Sequence, residues 1–327
     1  MITLTRRLLL GTGTALLAAP SLARAQAAWP DRPVRLIVPF TPGGSTDILA
    51  RALGAELQEA FGQTFVIENR GGAGGTLGSE VVARAAPDGH TLMMGHIGTL
   101  AVNPALYRNL SFDTVTSFTP IVLVANVPNI MAVNPRKVQA TTATALIAQA
   151  KANPGGLTFG SGGNGSAAHI AMVAFNLATG TEMTHVPYRG TGPMMTDLIA
   201  GTIDMTMTGG PPVLPPIRAG LLKALGVSSL TRLSSAPDIP TMHEQGLTGF
   251  EAVQWYGLVG PAGLPRAIVD RINAASTHAL NSDKVKPRLA AEGADAAPGT
   301  PEQFRDLIIA ERTRWGGVIR RANVQAD

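Results

Sequence analysis

Cysteine is absent from the 327-residue chain, which excludes disulfides, thiolate catalysis and any cysteine-based metal site. Histidine is sparse, and His90, His96, His169, His185, His243 and His278 offer no H-x-x-x-H or H-E-x-x-H spacing, so no metal or other cofactor is expected. Aromatic residues make up 5%, and beyond the N-terminal segment no basic cluster is longer than the pair Arg320 and Arg321. That composition argues against a nucleic-acid surface. No apolar stretch reaches the roughly 18 residues of a membrane helix, and no G-x-S-x-G elbow of a hydrolase is present.

Hydrophobic residues make up 45%, with 37 Gly and 24 Pro, a composition that suits two globular domains at this length. The N-terminus has a secretory pattern: Arg6 and Arg7, an apolar run from Leu8 to Leu17, then Ala23, Arg24 and Ala25 as an A-x-A cleavage site. Residues 1–25 therefore read as a signal peptide, and the mature protein as exported and soluble. Thr5, Arg6 and Arg7 ahead of three leucines also match a twin-arginine signal, which leaves the Sec and twin-arginine routes both open. Loss of Arg6, Arg7 and Arg24 lowers the formal charge from +4 to +1.

From Val34 onward, short β-rich runs alternate with helical segments, the pattern of an α/β fold with mostly parallel strands. The runs VRLIVPF, TFVIENR, TLMMG, PIVLVAN, LTFGS, MTHVPY, IDMTMT, LLKALGVSS and FEAVQWYGLVG read as strands. A helix opening at Thr46 carries Leu49, Leu53, Leu57 and Phe61 at four-residue spacing, a single face for burial against a sheet. Extended segments near 126–135 and 249–260 are candidate crossings between domains. They divide the mature chain into a discontinuous first lobe, residues 26–127 and 253–327, and a continuous second lobe, residues 128–252.

Two stretches share one design. IVPFTPGGSTDILARAL and LTFGSGGNGSAAHIAM each run from strand through a Gly-rich turn and a hydroxyl residue into a helix. The first turn of a helix has unpartnered N–H groups and partial positive charge, so a carboxylate or a phosphate fits there. Gly43, Gly44, Gly162, Gly163 and Gly165 allow close backbone approach, and Ser45, Thr46, Ser161 and Ser166 can donate hydroxyls. The same residues also serve as helix caps and turn formers. Gly160, Gly162 and Gly165 spell G-x-G-x-x-G, with Glu182 about 20 residues on, which leaves a dinucleotide enzyme as one alternative. Ser166 with His169 at i+3 leaves an exported esterase or amidase as another. His96 and Thr99, at the end of a strand, are positioned to face a cleft.

Taken in order, VPFTPGGSTDILAR, NRGGAGGTLGSEVVARAAPDGHTL, NPALYRNLSFDTVTSFTPI, FGSGGNGSAAHIA, HVPYRGTGP, DIPTMHEQG and WYGLVGPAGLP closely resemble the extracytoplasmic solute receptors of tripartite tricarboxylate transporters, the Bug family. The resemblance covers nearly the whole mature chain. It implies a two-lobed, hinge-closing periplasmic binding protein of the type 2-like kind, with two interdomain crossovers and a central cleft. It also implies no enzymatic activity: a monomer captures a small carboxylate in the periplasm and delivers it to membrane permease subunits.

Carried over residue by residue, the resemblance assigns ligand contacts to Phe40, Gly43, Gly44, Ser45 and Thr46 in the first loop. In the second loop it assigns them to Ser161, Gly163, Asn164, Gly165, Ser166 and His169. Tyr188 from HVPYRG, Asp204 after the next helix, and Thr99 complete the expected site. Two departures stand out. Arg189 occupies a position where many relatives have Lys, and AMVAFNLATG lacks an acid common in that helix.

Overall fold

The β-branched and apolar runs become strands because each is bounded by Gly, Pro or Asn and alternates with an amphipathic segment that covers it. The computed structural model describes residues 29–324 and 326. The signal-peptide reading of residues 1–25 lies outside them.

The chain opens with β1 (Val34–Val38), α1 (Ser45–Phe61) and β2 (Phe65–Asn69), passes through α2 (Thr76–Ala83) to β3 (Thr91–His96), and turns through α3 (Asn103–Leu106) into β4 (Phe118–Val133). There follow α4 (Ala143–Ala152), β5 (Thr158–Ser161), α5 (Ala167–Thr179), β6 (Thr184–Pro187), α6 (Thr191–Ala200), β7 (Met205–Gly209), α7 (Gly210–Arg218) and β8 (Lys223–Val227). The last segment holds β9 (Val253–Pro261), α8 (Arg266–Asn281), α9 (Lys286–Ala291), β10 (Asp295–Ala296) and α10 (Pro301–Arg321). Each of the nine sequence-predicted runs contains a strand, and β10 is an addition.

The strand order is β2-β1-β3-β9-β4-β7-β5-β6, with β8 and β10 also paired to β4. Parallel pairing holds within β2-β1-β3 and within β6-β5-β7. It fails in the middle, where β9 runs antiparallel to both β3 and β4, and β4 is antiparallel to β7, β8 and β10. The expectation of mostly parallel strands is therefore corrected. β4 and β9 are not links in a helix-crossover series; they are the strands that pass between the two halves, and they pair with each other.

The transfer is visible in the register of β4. Phe118 to Pro128 pairs with β9, whereas Asn129 to Val133 pairs with β7 and β8. At about 3.3 Å per residue, a 16-residue strand reaches roughly 50 Å, long enough to serve both halves. Buried polar groups bind the junction together. Asn129 N donates to Ser228 Oγ at 2.9 Å, Ser228 Oγ donates to the Ala252 carbonyl at 2.9 Å, and Gln254 Nε2 donates to Asn129 Oδ1 at 2.6 Å.

Helix α1 buries Leu49, Leu53 and Leu57 against Leu36, Val38 and Met94 of the sheet. A fully buried leucine contributes about 1.5–3 kcal/mol, so this face alone anchors the first glycine loop. The opposite side of the sheet is covered by α10 and α5, where Phe304, Trp315 and Phe175 are almost fully buried. That apolar cluster includes Met93 of β3 and Met205 of β7, and so runs beneath both halves.

Candidate functional site

The C-terminal ends of β1, β3, β5 and β7 converge on a small cavity between the halves. Phe40 follows β1, His96 ends β3, Gly162 follows β5, and Thr208 is near the end of β7; all four line it, together with Ser45, Thr46, Ser166, Thr191, Gln254 and Tyr256. Its volume is about 20 Å³, room for a single water. Three helices begin at this point: α1 with Ser45 and Thr46, α5 with its N-cap Ser166, and α6 with Thr191. None of the lining residues is acidic.

The N-cap of α1 is Gly44, with no side-chain cap, which corrects the reading of Ser45 or Thr46 as capping residues. Asp47 folds back instead. Its Oδ2 accepts Gly43 N at 3.1 Å and Arg51 Nε at 3.1 Å, and its Oδ1 accepts Asn69 Nδ2 at 3.0 Å. Burial pushes the Asp47 carboxyl up, but the hydrogen bonds from Arg51, Asn69 and Gly43 outweigh it and hold it below the ordinary range. Gly43 N–H is thereby used inside the loop. Gly43 and Gly44 shape the turn and do not line the cavity.

In the second loop, Ser166 caps α5, its Oγ accepting His169 N at 3.4 Å. Gly163 and Gly165 adopt φ of 114° and 79°, a region that glycine enters freely. His169 Nδ1 accepts Gly165 N at 3.1 Å, and its ring stacks on His185 at 4.2 Å between centroids. His185 Nε2 lies 2.6 Å from Ser161 Oγ, which also accepts Gly163 N at 3.1 Å. Ser161 and His169 thus hold the loop from behind, and neither lines the cavity. Because His169 Nδ1 faces Gly165 N–H, there is no Ser166–imidazole pair of the kind a hydrolase needs.

The imidazoles here are neutral. Burial, with a smaller contribution from His185, pushes His169 down to about 3, and burial pushes His185 down to about 4. Burial likewise pushes His96 down to about 4. His96 Nδ1 accepts Thr99 N at 3.1 Å, so its proton sits on Nε2. Thr99 Oγ1 accepts His96 N at 3.1 Å and donates to the His96 carbonyl at 3.1 Å. Thr99 therefore orients His96 and is not among the residues that line the cavity. Phe40 packs on the other side of His96, centroids 4.7 Å apart.

Asp204 lies elsewhere. It precedes β7, about 13 Å of strand from Thr208, and its Oδ2 accepts Thr158 N at 2.7 Å and Thr158 Oγ1 at 2.8 Å. It joins the starting ends of two strands, opposite the cavity. Glu182, the candidate ribose acid, is exposed and precedes β6, at the same far end. Gly160 is inside β5 and takes no part in the turn, so the G-x-G-x-x-G spacing does not form a nucleotide cradle.

A second cavity of about 340 Å³ opens beside the first, and Gly162 lines both. Asn164, Tyr188 and Arg189 are found here together with Gly72, Gly74 and Tyr107. The Tyr188 hydroxyl donates to Asp197 Oδ2 at 2.7 Å; burial, then the Asp197 contact, pushes it up to about 12. Asn164 Nδ2 donates to the Ala326 carbonyl at 2.8 Å, and its own carbonyl accepts the Tyr107 hydroxyl at 3.1 Å. Tyr188 and Asn164 thus belong to this outer vestibule.

Tyr256, Gln254, Thr191 and Thr208 are polar lining residues absent from the expected set, and His96 lines the cavity as its place at a strand end suggested. Tyr256 is placed by register, paired opposite His96 across β3 and β9. Its hydroxyl donates to Gln254 Oε1, so it continues the polar chain of the crossing strands into the cavity.

The sequence matches the model of the tripartite tricarboxylate transporter family receptor over residues 49–324. The chain belongs to that receptor family. Protein BugT of Bordetella pertussis is 38% identical over 313 residues, covering 95% of each chain. R. palustris Rpa4515, solved with adipate, has a TM-score of 0.88 at 36% identity, covering 91% of this chain and 99% of its own. MatC from Rhodopseudomonas palustris, solved with bound malate, has a TM-score of 0.85 at 34% identity, covering 89% of this chain and 100% of its own. The receptor fold is that of a two-lobed periplasmic binding protein whose two chain crossings flank a central cleft. The family's members are binding receptors for transporters, not enzymes, which removes the hydrolase and dinucleotide readings.

Proposed function

We propose that this receptor captures a small carboxylate between its lobes in the periplasm and presents it to membrane permease subunits. One observation supports this above all: the N-termini of three helices, with the hydroxyls of Ser45, Thr46, Ser166 and Thr191, face one cavity that has no acidic lining residue. Unpaired N–H groups and aligned peptide dipoles favour an anion there without a cationic side chain. The adipate and malate bound by its structural relatives are carboxylates of this kind. Ligand contacts fall to Phe40, Ser45, Thr46, His96, Ser166, Thr191, Thr208 and Tyr256, with the His96 Nε2 proton as an additional neutral donor.

The proposed lobe boundaries, 127/128 and 252/253, lie one residue before the change of partners in β4 between Pro128 and Asn129 and at the start of β9. A cavity that holds one water does not admit a dicarboxylate, so capture requires an open state, and the ligand favours closure by its higher affinity for the closed one. Residues 1–25 serve as the export signal, and the mature receptor acts as a monomer.

The test is thermal unfolding of the mature protein, stripped of carried-over ligand by reversible denaturation, against malate, adipate, NAD and an ester substrate. A ligand at a hundredfold excess over its Kd adds about 2.7 kcal/mol of stability. A rise in Tm with a carboxylate and none with NAD supports the proposal. A rise with NAD alone overturns it.

A further inference from the structure

The central cavity and the outer vestibule differ in charge. No side chain lining the central cavity is ionised, since His96 is held neutral by its burial. Among the described residues lining the vestibule, Arg189 is the one formal charge. Its side chain is exposed, and no ion pair or hydrogen bond among the described residues engages it. The two cavities share Gly162 and therefore adjoin at that residue.

We propose that Arg189 forms a second anion subsite in the vestibule, which takes the distal carboxylate of a dicarboxylate whose first carboxylate occupies the helix N-termini. This deepens the carboxylate-receptor reading and rests on it. Three features support the assignment. Arg189 follows β6, next to the β5 loop that holds Ser166, so its charge is carried by the same lobe as the proximal donors Ser166 and Thr191. The vestibule is about 340 Å³ against about 20 Å³ for the central cavity, so the bulk of a longer ligand has room there and not beside the first carboxylate. The guanidinium fork holds a carboxylate in bidentate fashion, whereas the ammonium of a lysine acts as a point charge.

The consequence is a division of labour. Neutral donors at three helix ends accept any carboxylate, and Arg189 separates ligands with a second one from those without. The experiment pairs two acids of equal carbon number, adipate and hexanoate, and measures Kd by calorimetry for the wild type, Arg189→Gln and Arg189→Lys. The expected result is an adipate Kd raised about tenfold or more in Arg189→Gln, the scale of a lost charge-assisted pair, with the hexanoate Kd within about twofold. Arg189→Lys recovers part of the adipate affinity. Unchanged adipate affinity in Arg189→Gln, or equal losses for both acids, overturns the subsite while leaving the receptor reading intact. A wild-type protein that binds neither acid overturns both. Because Arg189 is exposed and unpaired, neither substitution threatens folding.

Discussion

His169 Nδ1 accepts the backbone N–H of Gly165 at 3.1 Å, so the second glycine loop is held by an imidazole that must stay neutral. Burial, then His185, pushes the His169 pKa down to about 3, below its unfolded value of about 6.5. Between those values the unfolded chain binds a proton that the native state refuses, so stability is complete above about pH 6.5 and falls as pH drops towards 3. The expected loss from this one residue is roughly 1 kcal/mol between pH 6 and pH 5. Denaturant unfolding at both pH values should show it, and His169→Gln should show a correspondingly smaller decline. An identical pH dependence in the variant would remove His169 as the source.

Ser166 has two roles, as N-cap of α5 and as a lining hydroxyl. Ser166→Ala should lower unfolding free energy by about 1 kcal/mol through the cap and weaken carboxylate binding by roughly fivefold through the lost donor. A stability loss with unchanged affinity would confine Ser166 to the cap.

Gly192 tests closure separately from folding. It is in α6 of the second lobe, and a β-carbon there would lie 2.4 Å from the Pro42 carbonyl oxygen of the first lobe. Beyond the neighbouring residues and the backbone of its own helix, only Pro42 lies within 4 Å of that position, so an open protein tolerates the change, and alanine favours the helix. Gly192→Ala should keep or raise the ligand-free Tm while weakening adipate binding by at least about tenfold. Wild-type affinity in this variant would show that the lobes bind without the close approach seen here.

Gln254 links the cavity to the crossing strands, donating to Asn129 and accepting from Tyr256 in a fully buried chain. Gln254→Leu takes the donor from Asn129 Oδ1 and the acceptor from the Tyr256 hydroxyl, while Asn129 keeps the Ala252 carbonyl and Tyr256 keeps Ser45 and Thr46, at about 1–3 kcal/mol for each buried group that loses its partner. Urea unfolding should report a loss of that order, together with weaker ligand binding. A neutral substitution would mean that the crossing strands do not depend on this chain.

The sequence placed the strands well because their β-rich runs end at Gly, Pro or Asn. β10, only Asp295–Ala296, is too short to carry any periodicity. Strand direction was misjudged at β4 and β9, since alternation is the same for parallel and antiparallel neighbours. Of the residues that line the cavity, Ser45, Thr46 and Ser166 were legible as hydroxyls at helix starts, and Phe40 through the family resemblance. Tyr256 and Gln254 were not, because only the register of β9 against β3 and β4 brings them to the cavity. Asp204 sits beside a strand at the end remote from the helix N-termini, a distinction that sequence position alone does not make.

Closure around a carboxylate is the central claim, and small-angle scattering on the mature, ligand-stripped receptor with and without saturating adipate tests it most directly. The account predicts a smaller radius of gyration with adipate, as open lobes collapse to the arrangement in which α1, α5 and α6 share one cavity. Coincident curves, at an adipate concentration shown by calorimetry to fill the site, would contradict it.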